Sequence, residues 1–236
     1  MNDSHTSTVL KPSYVIPIAI VMGGFILAIS TYSVSYKRTP TLGIVNSNAA
    51  LIRGISATDH IFGNPAAKVI IVEYADFDCE DCKTFNDTMH QIVASEGARG
   101  DVAWIFRQFP LIEIHPNALS HARAAECAAQ TSGSDAFWKF ETALYKNQPV
   151  DPISYGTLAK EAGITGNAFA TCYARSSSAT STVETRILAD RQNALDMGAK
   201  NAPYSVILVM GKRPVVIDGA YTYDQMRQVV NQAFGN

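Results

Sequence analysis

Apolar and polar positions alternate along this chain in several distinct patterns, and each predicts a different element. The first is a long uncharged run. No charged residue occurs from Pro12 to Tyr36, and Val15 to Ile29 is apolar except for one Pro and two Gly. A helix of this length rises ~1.5 Å per residue and can cross a bilayer core of ~30 Å. The run therefore predicts a transmembrane anchor over 14–36 behind a short tail, 1–13. A cleaved signal peptide is the rival, with Ala28-Ile29-Ser30 as a small-x-small site, but the apolar region is long for a signal core. Lys37 and Arg38 follow the span and Lys11 precedes it, so the positive-inside bias weakly favours a cytoplasmic domain. The cysteine chemistry below argues for the opposite side, and we place the domain outside the cytoplasm.

Residues 37–58 mix Pro, Gly, Asn and Ser with scattered aliphatics and show no sustained period, which predicts a linker. The folded domain is expected over 59–236, with a turn at His60-Ile61-Phe62-Gly63-Asn64-Pro65. Val69 to Val72 is apolar on both faces, as in a central strand covered on both sides. Phe85, Met89, Ile92 and Val93 then recur at helical spacing in a segment from Cys82 to Ser95, with Gly97 as the stop. A second strand is expected over Val102 to Phe106.

The pattern is helical almost throughout from Pro116 to Gly198, and a helical insertion is predicted at about 115–198. Pro116 suits a helix N1 position ahead of Asn117 to Gln130. Asp135 suits the cap of a helix with Phe137, Phe140 and Leu144 on its apolar face and with Lys139 and Glu141 off that face. Further helices are expected over 154–162, 167–174 and 182–197. Ser205 to Met210 and Pro214 to Ile217 read as a hairpin through Gly211-Lys212, and Tyr223 to Phe234 as a closing amphipathic helix.

Composition narrows the function classes. The chain has 236 residues, 47% of them apolar, which is enough for a substantial core. A net charge of −2 and no long Lys/Arg run leave no electrostatic footprint for nucleic acid. Four cysteines in a chain of this size do not make a small disulfide scaffold. They fit one reactive pair and two further cysteines, Cys127 and Cys172. Each of these two is most simply a buried small apolar residue; lying in one helical block of an exported protein, they are also able to pair.

The candidate chemistry sits where the central strand hands over to its helix, at Cys79-Glu80-Asp81-Cys82. A cysteine at a helix N-terminus faces unpartnered backbone N–H groups and the positive end of the helix dipole, so its thiolate is favoured. Cys79 is the expected attacking sulfur, and Cys82, one turn further in, the resolving one. The competing readings are two cysteines with no chemistry and a structural zinc site. Zinc needs a second ligand pair, and the nearest, His115 and His121, is split by Pro116. Glu73, at the end of the buried strand, is either an ordinary paired carboxylate or a proton acceptor and donor for the dithiol. Pro203 precedes a strand; a cis bond there would present the backbone of Ala202 to the dithiol and to an extended substrate.

Together these segments resemble DsbA-like thiol-disulfide oxidoreductases. The resemblance rests on the strand with Glu73, on Cys79-Glu80-Asp81-Cys82, on Arg107-Gln108-Phe109-Pro110-Leu111 and His115-Pro116-Asn117-Ala118, and on Ala125-Glu126-Cys127-Ala128. Ala202-Pro203 before a strand and hairpin completes it. It covers about Asp59 to Phe234 in consistent order. It implies an α/β thioredoxin-like fold with an inserted helical domain, here preceded by the N-terminal transmembrane helix. It further implies Cys79 as nucleophile, Cys82 as resolving cysteine, Glu73 as the buried acid that assists proton transfer, and a cis Pro203 whose neighbour Ala202 contacts substrate. Some relatives carry a second disulfide in the helical domain, which supports pairing of Cys127 with Cys172.

The implied function is an extracytoplasmic enzyme that forms, reduces or isomerises disulfides in exported proteins. It would need no metal or organic cofactor and would be recycled by an unidentified membrane redox partner. A non-catalytic peptide-binding module on the same fold, tethered to the membrane, is the alternative. One departure from the family matters: Glu80-Asp81 stands where a Pro followed by an aromatic or His is usual. Two carboxylates beside the nucleophile should raise its pKa and make a weaker oxidant.

Overall fold

The computed structural model describes residues 47–178 and 180–235. The expected tail and anchor, 1–13 and 14–36, lie outside the described residues, as does the first part of the expected linker, 37–46. Among the described residues no helix is long and apolar enough to cross a membrane.

Five strands form one mixed sheet: β1 His60–Gly63, β2 Val69–Ala75, β3 Val102–Gln108, β4 Tyr204–Val209 and β5 Val215–Asp218. Their spatial order is β1-β3-β2-β4-β5. Only β2 and β3 run parallel. They are joined by α1, Glu80–Ser95, as parallel neighbours require a crossover. β2 and β3 occupy the middle of the sheet and are buried almost throughout, consistent with their unbroken apolar runs. A Cβ on Gly97 would lie 2.5 Å from Val93 O and 2.8 Å from Val102 O, so only glycine lets the chain turn from α1 into β3.

β1 corrects the sequence reading, which placed a turn here. His60 to Gly63 pairs antiparallel with β3, His60 opposite Phe106 and Gly63 opposite Ala103. Four residues with a buried-to-exposed gradient are too short to show a period, and only pairing to β3 makes them a strand.

Among the described residues, five α-helices lie between β3 and β4: α2 Ala118–Ser132, α3 Ser134–Lys146, α4 Tyr155–Glu161, α5 Ala168–Arg175 and α6 Thr182–Asp196. Two expected starts differ. α2 begins after Asn117, which leaves Pro116 in the preceding turn rather than at N1, and Gly133 at φ 85° caps α3, with Asp135 in its first turn. Asp135 there still complements the helix dipole. Cys127 of α2 and Cys172 of α5 are joined as a disulfide, with their Cα atoms 5.7 Å apart and a sequence separation of 45. A loop of that length contributes about 3–4 kcal/mol in the chain-entropy picture. The closing helix, α7 Tyr223–Phe234, carries a full capping box between Thr222 and Gln225.

Packed chain reaches further toward the N-terminus than Asp59. Ser47–Leu51 forms a short 3₁₀ helix, and the segment after it is fastened by Arg107 of β3. The Arg107 side chain is fully buried, and all five of its N–H donors are used. Nε and Nη2 grip the two oxygens of Asp59 at 2.9 and 3.1 Å. Nη1 donates to Tyr74 Oη and Arg53 O, and Nη2 also donates to Gly54 O. Asn193 of α6 adds a second fastening, accepting from Arg53 N and donating to Leu51 O.

Candidate functional site

Cys79 is the N-cap of α1. Its backbone is extended (φ −82°, ψ 124°), and its sulfur accepts from the N–H of Cys82 at 3.1 Å. The Cys79 sulfur thus occupies the position a Ser or Asp side chain usually fills, where a side-chain acceptor satisfies a helix N–H that has no partner in the helix. On its other side the thiol donates to Ala202 O at 3.3 Å, across the cis peptide that joins Ala202 to Pro203. Sequence positions 123 residues apart are brought together by the β2–β4 pairing, in which Tyr74 stands opposite Tyr204.

The two thiols differ as the helix geometry demands. The neighbouring Cys82 thiol is the main cause of a lowered Cys79 pKa. Burial pushes the other way, the Cys82 backbone N–H adds to the fall, and the charges of Asp76 and Asp81 oppose it. Asp81 thus acts in the expected direction but does not set the sign. Glu80 and Asp81 are both exposed and sit in the first helical turn, where acidic side chains suit the dipole. Cys82 is fully buried. Burial first, then the neighbouring Cys79, holds its thiol well above the ordinary value.

Glu73 lies on β2 with no exposed surface, and neither carboxyl oxygen has a hydrogen-bond partner. Burial holds its carboxyl well above the ordinary 4.5, and the charges of Glu141 and Cys79 add to the rise. The nearby indole of Trp104 offsets part of it without making a hydrogen bond of normal geometry. A buried acid with no hydrogen-bond partner is unusual in a core, and groups of this kind cluster at functional sites.

The linkage has a definite sign. The folded state keeps a proton on Glu73 that the unfolded chain releases near pH 4.5, so stability falls as pH rises from there toward the folded value. In Glu73→Gln that dependence disappears. Its urea midpoint should gain on the parent's between pH 4 and pH 8, and a constant difference across that range would show that Glu73 keeps an ordinary pKa.

Two residues of the site were not among the candidates of the sequence reading. Asp76, 1% exposed, stitches the active turn together. Its Oδ1 accepts from Asp78 N at 2.8 Å, and its Oδ2 accepts from Leu111 N at 2.7 Å and lies 2.8 Å from His115 Nδ1. Its carbonyl accepts from Cys79 N and from Tyr145 Oη. Glu141, expected off the apolar face of its helix, is fully buried. The signal was there to be read: Phe137 and Tyr145, four residues either side of Glu141, are buried on its face, whereas the exposed stripe of the helix is Asp135, Lys139, Thr142 and Lys146.

His115 and His121 do not converge. His115 is held by Asp76, whereas His121 lies between Asp78 Oδ1, at 2.9 Å, and Tyr155 Oη. Among the described residues no group of three or more His, Cys, Asp or Glu is placed to hold a metal ion. Cys127 and Cys172 belong to the insertion and stand apart from the dithiol.

Comparison with known proteins places this geometry. The thioredoxin family profile matches residues 56–232. A Na(+)/H(+) antiporter NhaA 1 of Mycolicibacterium gilvum is 32% identical over 108 residues, covering 46% of this chain and 16% of the antiporter. Disulfide bond formation protein D of Bacillus subtilis is 31% identical over 113 residues, 42% of this chain and 47% of that protein. The chain therefore spans less than half the length of either relative. The crystal structure of alpha-DsbA1 from Wolbachia pipientis superposes with a TM-score of 0.66 at 19% identity, covering 80% of this chain and 96% of that one. That likeness is one of fold.

Proposed function

The chain belongs to the thioredoxin family, and from that premise we propose that it is a DsbA-like thiol-disulfide oxidoreductase acting on exported proteins. The observation that carries the reading is the asymmetric dithiol: an N-capping Cys79 with a lowered pKa beside a buried Cys82 with a raised one. Such a pair assigns one sulfur to attack and the other to resolution.

In the oxidising direction a substrate thiolate attacks Cys79 Sγ of the Cys79–Cys82 disulfide. A new S–S bond forms to Cys79, and Cys82 leaves as a thiolate that takes up a proton. A second substrate thiolate then attacks the substrate sulfur of the mixed disulfide and expels Cys79. The substrate has lost two electrons and the dithiol has gained them. The reverse sequence reduces or isomerises a substrate disulfide. Glu73 supplies or removes the proton at Cys82, and the backbone of Ala202 and Pro203 aligns an extended substrate against Cys79. Ile112 and Ile114 are 44% and 66% exposed on the loop that Asp76 binds, and they offer apolar contact to an unfolded chain. The disulfide between Cys127 and Cys172 is structural and suits an oxidising compartment. Residues 14–36 would anchor the domain on the outer side of a membrane, where a membrane redox partner would reoxidise or re-reduce the dithiol.

The test is a glutathione titration of the full-length chain, with alkylation and mass readout at Cys79 and Cys82. A single two-electron transition is expected, more reducing than the ~−120 mV of the strongest oxidases, because Asp76 and Asp81 disfavour the thiolate. A pair that does not titrate at all would overturn the assignment.

A further inference from the structure

Cys82, Asn86 and His90 stand at i, i+4 and i+8 of α1 and so form one stripe down the helix, from the reactive turn toward its far end. Glu141 faces that stripe from α3. Asn86 Nδ2 donates to Glu141 Oε1, and His90 Nε2 lies 3.6 Å from Glu141 Oε2. Thr142 Oγ1 donates to the same Oε2. Cys82, Asn86 and Glu141 are buried, but the His90 side chain is 29% exposed, at the floor of a surface cavity of about 430 Å³ lined by Phe62, Trp138, Lys139 and Lys146 among others. His90 Nε2 itself has no hydrogen-bond partner.

A polar line that ends at a half-exposed imidazole is an odd thing to build through an aromatic core. Phe62, Trp104 and Trp138 all meet the His90 ring edge-on. The dithiol, however, has a problem that such a line solves. Cys82 and Glu73 are both sealed from water, yet each turnover puts one proton on the pair or takes one off. We propose that Glu141 and His90 form a proton conduit joining the buried Glu73–Cys82 pair to solvent on the Phe62–Trp138 side of the domain, an inference that rests on the thiol-disulfide reading above.

The proton balance is simple. When Cys82 leaves as a thiolate, neutral Glu73 protonates it and becomes a carboxylate. Glu141 passes its proton to Glu73, His90 restores Glu141, and solvent restores His90. No electron moves along the line, and the reverse order serves attack by Cys82. Neither Glu73 oxygen holds a hydrogen bond, so the step from Glu141 to Glu73 takes a bridging water, and the 3.6 Å gap between His90 and Glu141 is closed by a small ring rotation or one water. Charge favours neutral acids along the line. Glu141 is raised by burial and by Asp87 of α1, and is lowered by His90 and Thr142; Glu73 faces Glu141, Cys79 and Cys82, and Tyr145 of α3 faces Cys82, Glu73 and Glu141. Two buried carboxyls whose charges oppose each other do not readily ionise together. Glu141 and His90 touch no reacting sulfur and act through Glu73.

The test is the rate at which dithiothreitol reduces the Cys79–Cys82 disulfide of the full-length chain in dilute buffer from pH 6 to 9. Glu141→Gln, which keeps an acceptor for Asn86, should be slower by about tenfold near neutral pH. His90→Ala should be slowed similarly and regain most of the parent's rate in imidazole buffer, which should leave the parent unchanged. Iodoacetamide alkylation of Cys79 should follow the parent's pH profile in both variants. A His90→Ala protein that reacts at the parent's rate, or whose slow rate ignores imidazole, overturns the conduit. Because His90 is half-exposed, that variant decides the matter even if Glu141→Gln does not fold. A parent whose disulfide resists dithiothreitol altogether overturns the underlying redox reading instead.

Discussion

Replacing Cys79 with Ser should lower turnover of a protein disulfide substrate by on the order of 10³ or more, because every later step passes through the bond that Cys79 forms. Cys82→Ala should behave differently. Its first attack survives, since Cys79 keeps its place at the N-cap and still accepts the backbone N–H of residue 82. What is lost is resolution, so the Cys82→Ala protein should accumulate substrates joined to Cys79, visible as slow bands on a non-reducing gel that collapse with reductant. Equal turnover loss in the two variants with no adducts from either would sink the division of labour between the sulfurs. The lowered Cys79 pKa also requires that its alkylation rate reach half its maximum below the ordinary thiol value of 9.0.

Arg107→Ala should destabilise the domain by about 4–5 kcal/mol, the upper range for removing one partner of a buried ion pair. The loss takes the guanidinium away from the Asp59 carboxylate, the Tyr74 hydroxyl and two carbonyls at once, leaving Asp59 only Arg53 and Ser56 as partners. Domains of this kind hold only about 5–15 kcal/mol in total, so urea denaturation should register the change as a large fall in midpoint. Arg107→Lys should recover little, because an ammonium cannot present the two-pronged fork that Asp59 accepts.

Acid tolerance should change with it. Burial pushes the Asp59 carboxyl up, but the hydrogen bond and charge of Arg107 outweigh this and hold it below 3.8. That contribution is present above the ordinary value and is lost as pH falls through the folded one; the Arg107→Ala protein should therefore lack this part of the parent's acid limb. A loss under about 1 kcal/mol would mean the cluster behaves like an exposed ion pair.

The strands β2 and β3, the helix after the dithiol and the closing helix were legible because each writes its burial as a local period or an unbroken apolar run. The dithiol, Glu73 and Ala202-Pro203 were legible for another reason: cysteines at a strand-helix junction, an acid in an apolar strand and a proline before one are each conspicuous within a few residues. The structure brings these residues together at one end of β2 and β4.

What escaped depends on partners far away in sequence. β1 is a strand only by virtue of β3, and the packed segment before Asp59 is held by Arg107 and Asn193, 48 or more residues further on. Glu141 escaped because helical periodicity assigns one apolar face, whereas this helix is enclosed on most of its circumference. Asp76 escaped because its value lies in five contacts, three of them reaching residues that no local pattern links to it.

A sulfur that caps a helix makes the redox state part of the folding equilibrium. The reduced form has the Cys79 contacts to Cys82 N and Ala202 O, and any form in which that sulfur is otherwise bonded must settle them anew. In a closed cycle of folding and reduction, the difference in stability between the reduced and oxidised proteins equals the shift of the dithiol's potential from that of the unfolded chain. Every 30 mV corresponds to about 1.4 kcal/mol. Two denaturation curves, one in each redox state, therefore measure how far the fold biases electron flow, with no substrate or partner in the tube.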